Sequence, residues 1–224
     1  MPIMISSSDL MKAVGRSGRL VPFFKAVCVY FVVGGGAPSL SAAALKCAPV
    51  LCLLLCVLVR AHTAPQPQRR YAHYVATGLA LSAVGDALLV WPQHFVAGMV
   101  AFAGAHVAYI LAFGSQPRAY GAALALFAGA LAYVRAVPAP APLRALVPAY
   151  ALLLAAMAWR GSARAGYQRP GALLFLLSDA ILGYGLFAEP VPYNQALVMS
   201  TYYLGQLGIA LSALEPARAV AASQ

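Results

Sequence analysis

The chain contains five acidic residues, and only Asp86 and Asp179 fall inside long apolar stretches. Lys46 falls inside another. A carboxylate at the centre of a membrane span costs roughly 2.5–3.5 kcal/mol unless it is paired, protonated or wetted. Both acids are therefore expected to face an interior cleft rather than lipid. Two carboxyls sharing an apolar cleft do not readily ionise together, so one keeps its proton while the other is charged. That division suits acid–base cleavage of an acid-labile ether or acetal. One group donates a proton, and the other orients water or stabilises an oxocarbenium. Lys46 would favour the ionised form of whichever Asp it touches, or it would hold a substrate phosphate. The residues alone leave both roles open.

The elements that must position these groups follow from composition. Of 224 residues, 62% are hydrophobic and 9% charged, against ~25% charged in soluble domains. Mean hydropathy is +0.80. Soluble globular, disordered and disulfide-scaffold classes are excluded, leaving an all-α polytopic membrane protein. Gly, Pro and charge divide the chain into apolar stretches at 20–34, 39–60, 71–91, 95–113, 119–137, 142–159, 170–187 and 194–214. This predicts a bundle of eight transmembrane helices over 20–214, with cytoplasmic segments at 1–19 and 215–224. The run Val21–Val33 follows Lys12, Arg16 and Arg19. It carries Lys25 and no small-residue cleavage site, so it is expected to be a retained helix rather than a signal peptide. With alternating spans, eleven Lys and Arg fall on one side of the membrane and two, Arg135 and Arg144, on the other. Both termini are then expected to be cytoplasmic.

Depth counted along the helices brings the candidates together. At ~1.5 Å per residue, Lys46 lies ~10 Å below the outer surface, Asp86 ~8 Å and Asp179 ~12 Å. Tyr202 and Tyr203 lie ~12–14 Å below it. The last span adds Gln195, Met199, Tyr202 and Gln206 at helical spacing. His106 and Tyr109 come from the fourth span, somewhat deeper. Asp179, the deeper acid by this measure, is expected to be the drier one and the proton donor.

Other readings of the composition are weaker. The net charge of +10 is accounted for by cytoplasmic loops, so no nucleic-acid partner is expected. Cys28, Cys47, Cys52 and Cys56 sit in apolar runs without zinc or redox spacing and read as small buried hydrophobes. Two carboxyls and one deep His lack the clustered spacing of a zinc helix, so no metal is expected. Gly78-Leu-Ala-Leu-Ser-Ala-Val-Gly-Asp86 echoes Gly171-Ala-Leu-Leu-Phe-Leu-Leu-Ser-Asp179 with the same Gly-to-Asp spacing. The separation of the two acids recurs between Tyr109 and Tyr202. A four-plus-four arrangement is expected from this repeat.

Across residues 20–215 the sequence resembles the lysoplasmalogenases, the YhhN-like multi-span hydrolases. The likeness is carried by Ala44-Leu-Lys46-Cys47-Ala-Pro49, Ser82-Ala-Val-Gly-Asp86, Gly104-Ala-His106-Val-Ala-Tyr109, Leu177-Ser-Asp179 and Ser200-Thr-Tyr202-Tyr203-Leu-Gly-Gln206. The resemblance is nearest to the animal members of the endoplasmic reticulum membrane. It implies hydrolysis of the vinyl ether bond of lysoplasmenylethanolamine or lysoplasmenylcholine to a fatty aldehyde and the glycerophospho headgroup. Asp86 and Asp179 would be the acid–base pair. Lys46, His106, Tyr109, Tyr202, Tyr203 and Gln206 would surround the substrate, and no cofactor is needed because water is the co-substrate. The rival expectation is a proton-coupled transporter of a lipid or small amphiphile, because intramembrane acids and internal repeats also serve carriers.

Overall fold

A computed structural model describes residues 18–34 and 36–214. The expected segments at 1–19 and 215–224 therefore lie outside the described residues, save for the last two of the first. The described residues form eight α-helices. These are α1 (Val21–Val33), α2 (Leu40–Thr63), α3 (Gln68–Leu88), α4 (Phe95–Phe113), α5 (Tyr120–Ala136), α6 (Leu146–Ser162), α7 (Gln168–Phe187) and α8 (Asn194–Leu214). No strand occurs among the described residues.

Local chemistry sets the boundaries. Pro22 stands in the first turn of α1, where a missing N–H costs nothing. Ser39 caps α2, its Oγ accepting from the Ala42 N–H at 3.1 Å. The helix runs on to Thr63, beyond the apolar stretch ending at 60, because Arg60 and His62 suit the negative end of its dipole. Gly114, at φ 74°, turns the chain out of α4. Pro140 precedes and Pro142 lies within a short 3-10 turn, Ala141–Leu143, so α6 begins at Leu146 rather than near 142.

The bundle is inverted relative to a soluble protein. Large apolar side chains point outward, among them Val32, Leu40, Leu55, Val100 and Leu124. Ser82, Asp86, His106, Arg160, Ser178 and Gln206 are buried. Such an exterior matches hydrocarbon, and the few buried polar groups are kept from lipid inside an otherwise apolar core. By length and composition, α2, α7, α8 and the stretch Pro92–Phe113 can each cross a membrane. Helices α1, α5 and α6 are apolar but have only 13, 17 and 17 residues.

Helix α8 is the centre: thirteen of its 21 residues are buried. It packs most closely on α7, where Gly171, Gly205 and Gly208 bring the two backbones together. A Cβ on Gly205 would lie 2.9 Å from the Phe175 nitrogen. The absence of side chains permits the approach, as between helices in lipid. Consecutive helices pack as neighbours in α1–α2–α3–α4 and in α5–α6–α7–α8. The two runs meet where α2 and α3 touch α8 and where α4 touches α6. Helix α5, with no buried residue, packs chiefly on α6 and forms one flank.

Candidate active site

Asp86, in the last turn of α3, lies against α2 and α8. Its side chain is 2% exposed. Oδ1 is 3.8 Å from Lys46 Nζ, and Oδ2 accepts the Tyr202 hydroxyl at 2.6 Å. Lys46 is held from behind, because Tyr203 donates its hydroxyl to the Lys46 carbonyl at 2.8 Å. Pro49, three residues later, leaves the Leu45 carbonyl without its helical N–H partner. Tyr203 thus steadies α2 where its ladder is interrupted. Cys47 is a small buried neighbour whose thiol donates to the Ala83 carbonyl at 3.2 Å.

Asp179, in the middle of α7, has different company. Its Oδ2 accepts the Tyr150 hydroxyl from α6 at 2.6 Å. The same hydroxyl oxygen is 3.0 Å from His106 Nε2 on α4. Since Tyr150 donates to the carboxyl, it accepts from His106, which assigns the proton to Nε2. His106 Nδ1 is buried without a partner. His106 Nε2 lies 3.8 Å from Asp179 Oδ2, so the contact runs through the tyrosine. Ser178 donates to the Val198 carbonyl at 2.9 Å, pinning this turn of α7 to α8.

The two acids border one cavity of ≈ 360 Å³, together with Lys46, Tyr150 and Tyr202. Most of its wall is apolar, with Phe102, Leu154, Leu176 and Phe187 among the contributors. Phe102 and Phe175 meet edge to face at 6.1 Å, and both meet Tyr202 in the same way. Phe175 also meets the edge of His106 at 5.0 Å. These rings pack into one apolar cluster beside both polar groups. A second cavity of ≈ 580 Å³ adjoins the first at Lys46, Phe95, Phe187 and Met199. It reaches the end of the bundle that carries Pro38, Pro92, Leu143 and Gln195.

Of the residues singled out from the sequence, Lys46, Asp86, Asp179 and Tyr202 line the first cavity. His106 and Tyr203 stand behind its wall and reach it through Tyr150 and Lys46. Tyr109 and Gln206 are bonded to each other, the tyrosine donating to Oε1 at 2.7 Å, with both side chains fully buried. Depth ranking made Asp179 the drier acid, and the geometry reverses it: the side chain of Asp179 is 16% exposed and that of Asp86 2%. Position along a helix measures distance from the membrane surface, whereas exposure depends on the neighbours, and Asp86 has more of them. Tyr150 was not legible as a site residue. Its signal was a hydroxyl in the middle of an otherwise apolar helix, LVPAYALLLAAMAWRGS. Among the described residues no three His, Cys, Asp or Glu side chains gather as metal ligands.

Residues 41–213 match the YhhN family. The chain is 43% identical over 199 residues to lysoplasmalogenase TMEM86B of Homo sapiens, covering 87% of this chain and 86% of that protein. It is 38% identical over 237 residues to lysoplasmalogenase TMEM86A of Homo sapiens, covering 95% and 94%. With TMEM86B of Mus musculus the identity is 36% over 218 residues, covering 96% and 93%. No solved structure matches.

Proposed function

The chain belongs to the YhhN family, and from that membership we infer that it is a multi-pass membrane lysoplasmalogenase, hydrolysing the vinyl ether of a lysoplasmalogen to a fatty aldehyde and a glycerophospholipid headgroup. The observation that carries the chemistry is the shared cavity, which has an ammonium beside one acid and not beside the other. In apolar surroundings Lys46 makes Asp86 the carboxylate of the pair. In this reading the acid proton is assigned to Asp179, which has no ammonium beside it, on the oxygen that does not accept from Tyr150. Asp179 is the donor in this reading because of its company rather than its dryness.

Asp179 delivers its proton to the β-carbon of the vinyl ether, and the charge appears as an oxocarbenium. Water adds to the carbon bearing the ether oxygen while Asp86 takes one of its protons. The hemiacetal then collapses: the glycerol oxygen leaves with the proton from Asp86, and the remaining hydroxyl returns its proton to Asp179. Aldehyde and alcohol are released, and both acids regain their starting states. Tyr202 holds the Asp86 carboxylate by a charge-assisted hydrogen bond, and the Tyr150 bond to Asp179 becomes charge-assisted as that acid gives up its proton. Tyr203 and His106 support Lys46 and Tyr150, while the Tyr109–Gln206 pair sets the spacing of α4 and α8 beneath them. Lys46 also borders the adjoining outer cavity. Its ammonium there faces the phosphate of an ethanolamine or choline headgroup.

In this reading all eight helices cross the endoplasmic reticulum membrane, the termini are cytoplasmic, and the outer cavity opens toward the lumen. The test is aldehyde release by the purified full-length protein in detergent. A lysoplasmalogen is expected to be cleaved, and the saturated alkyl-ether analogue is not, because it has no double bond to protonate. Equal turnover of both would remove the mechanism, and cleavage of neither would remove the activity.

A further inference from the structure

We propose that the aliphatic chain of the substrate lies in the cleft between α5 and α7, and that Gly129 is the residue that admits its length. The proposal rests on the hydrolase reading above and adds the path of the tail. Helix α5 has no buried residue and packs chiefly on α6. Even so, Ala125, Leu126, Gly129 and Tyr133 of α5 line the cavity that holds both acids. The cavity therefore has a wall on this side that the fold does not close. Tyr133 bridges the cleft, donating its hydroxyl to the Ala180 carbonyl of α7 at 2.7 Å. Its hydroxyl occupies the space over Gly183, where a Cβ would come within 2.7 Å of it.

Polarity fixes the direction of an amphiphile in this space. The adjoining outer cavity offers Lys46 and Gln195, whereas the α5 side offers alkyl groups, glycine and a tyrosine whose hydroxyl is already bonded to Ala180. A vinyl ether held between the acids leaves its headgroup toward Lys46 and its unbranched hydrocarbon chain toward α5. At Gly129, which lines the cavity, a Cβ would meet nothing within 4 Å, so the backbone leaves room for a larger side chain there. Gly121, on the same helix, is equally unobstructed and does not line the cavity.

The experiment compares Gly129→Phe, Gly129→Leu and Gly121→Phe in the full-length protein in one detergent. Binding is measured with saturated alkyl-ether lysolipids of medium and long chain, which need no turnover. Aldehyde release is measured with the matching alkenyl lipids. Gly129→Phe is expected to lose at least about tenfold in long-chain affinity while medium-chain affinity stays within about twofold, the scale set by a few methylenes in an apolar pocket. Gly129→Leu is expected to shift in the same direction by less, which covers the case in which the aromatic variant fails to fold. Gly121→Phe is expected to match the parent protein. Unchanged chain preference in both Gly129 variants, or equal loss for both chain lengths, overturns the proposal. A protein that loses chain preference at Gly129 but releases no aldehyde in its parent form keeps the tail path and loses the hydrolase reading. The converse result keeps the activity and loses the path.

Discussion

Tyr202 and Tyr150 present the same hydroxyl to two acids at the same distance, 2.6 Å. The third partner differs, being Lys46 for Asp86 and, through Tyr150, His106 for Asp179. Asp86→Asn and Asp179→Asn are each expected to lower kcat by about 10²–10⁴-fold, the range for a positioned proton-transfer group. Thermal unfolding of both variants should show a folded protein, and near-parental turnover in either would exclude it from the chemistry. Tyr150→Phe leaves the ring and removes the hydroxyl that joins His106 to Asp179; losing a bond that becomes charge-assisted as Asp179 gives up its proton is expected to cost about 10–100-fold in kcat with KM little changed. A steady-state comparison separates this from simple packing, which would leave kcat alone. Lys46→Met is expected to impair kcat as well, because it strips the ammonium from beside an almost fully buried carboxyl.

The helices hold these contacts through close crossings rather than through polar ties. The α7–α8 pair is the tightest example, with Gly171, Gly205 and Gly208 at backbone contact. Gly205→Leu would drive a side chain into the Phe175 backbone and is expected to destabilise the protein by roughly 1–3 kcal/mol. Because Asp179 follows Phe175 by one turn and Tyr202 precedes Gly205 by three residues, the same substitution should disturb both acids. A thermal-shift series paired with turnover checks this, and the melting temperature and rate should fall together. A comparable constraint holds at Gly78, where a Cβ would meet the Tyr109 ring. The apolar segments 39–60, 71–91, 142–159 and their neighbours all became helices, but their ends moved where capping chemistry overrode hydropathy. Arg60 and His62 extended α2, and two prolines delayed α6.

At the scale of the molecule, the pattern of contacts has a two-part form. Asp86 of α3 is reached by α8, and Asp179 of α7 is approached by His106 of α4. Each acid is thus approached from the last helix of the other run of four, Asp179 through Tyr150. Orientation in the membrane rests on the basic residues, eleven against two. An epitope inserted in the 188–193 loop is expected to stay hidden from antibody in cells whose plasma membrane alone is permeabilised, while one at the amino terminus is stained. Staining of both loop and terminus would reverse the lumenal assignment of the outer cavity.

Hydropathy and charge are summed along the chain, so the sequence by itself determined the class of protein, its helical segments and the scarcity of embedded acids. The motifs around Asp86, His106, Asp179 and Tyr202 also carried the family. Which side chains meet was decided only by tertiary structure. These helices are apolar on nearly every side, so no amphipathic stripe marks an inward face. Glycines fix the α7–α8 crossing by letting the backbones touch, and the packing of the other helices around it brought Tyr150 to Asp179 and made Asp86 the drier acid. The open flank at α5 was equally invisible in the sequence, because a residue that faces a lipid-filled cleft and one that faces the bilayer meet the same solvent.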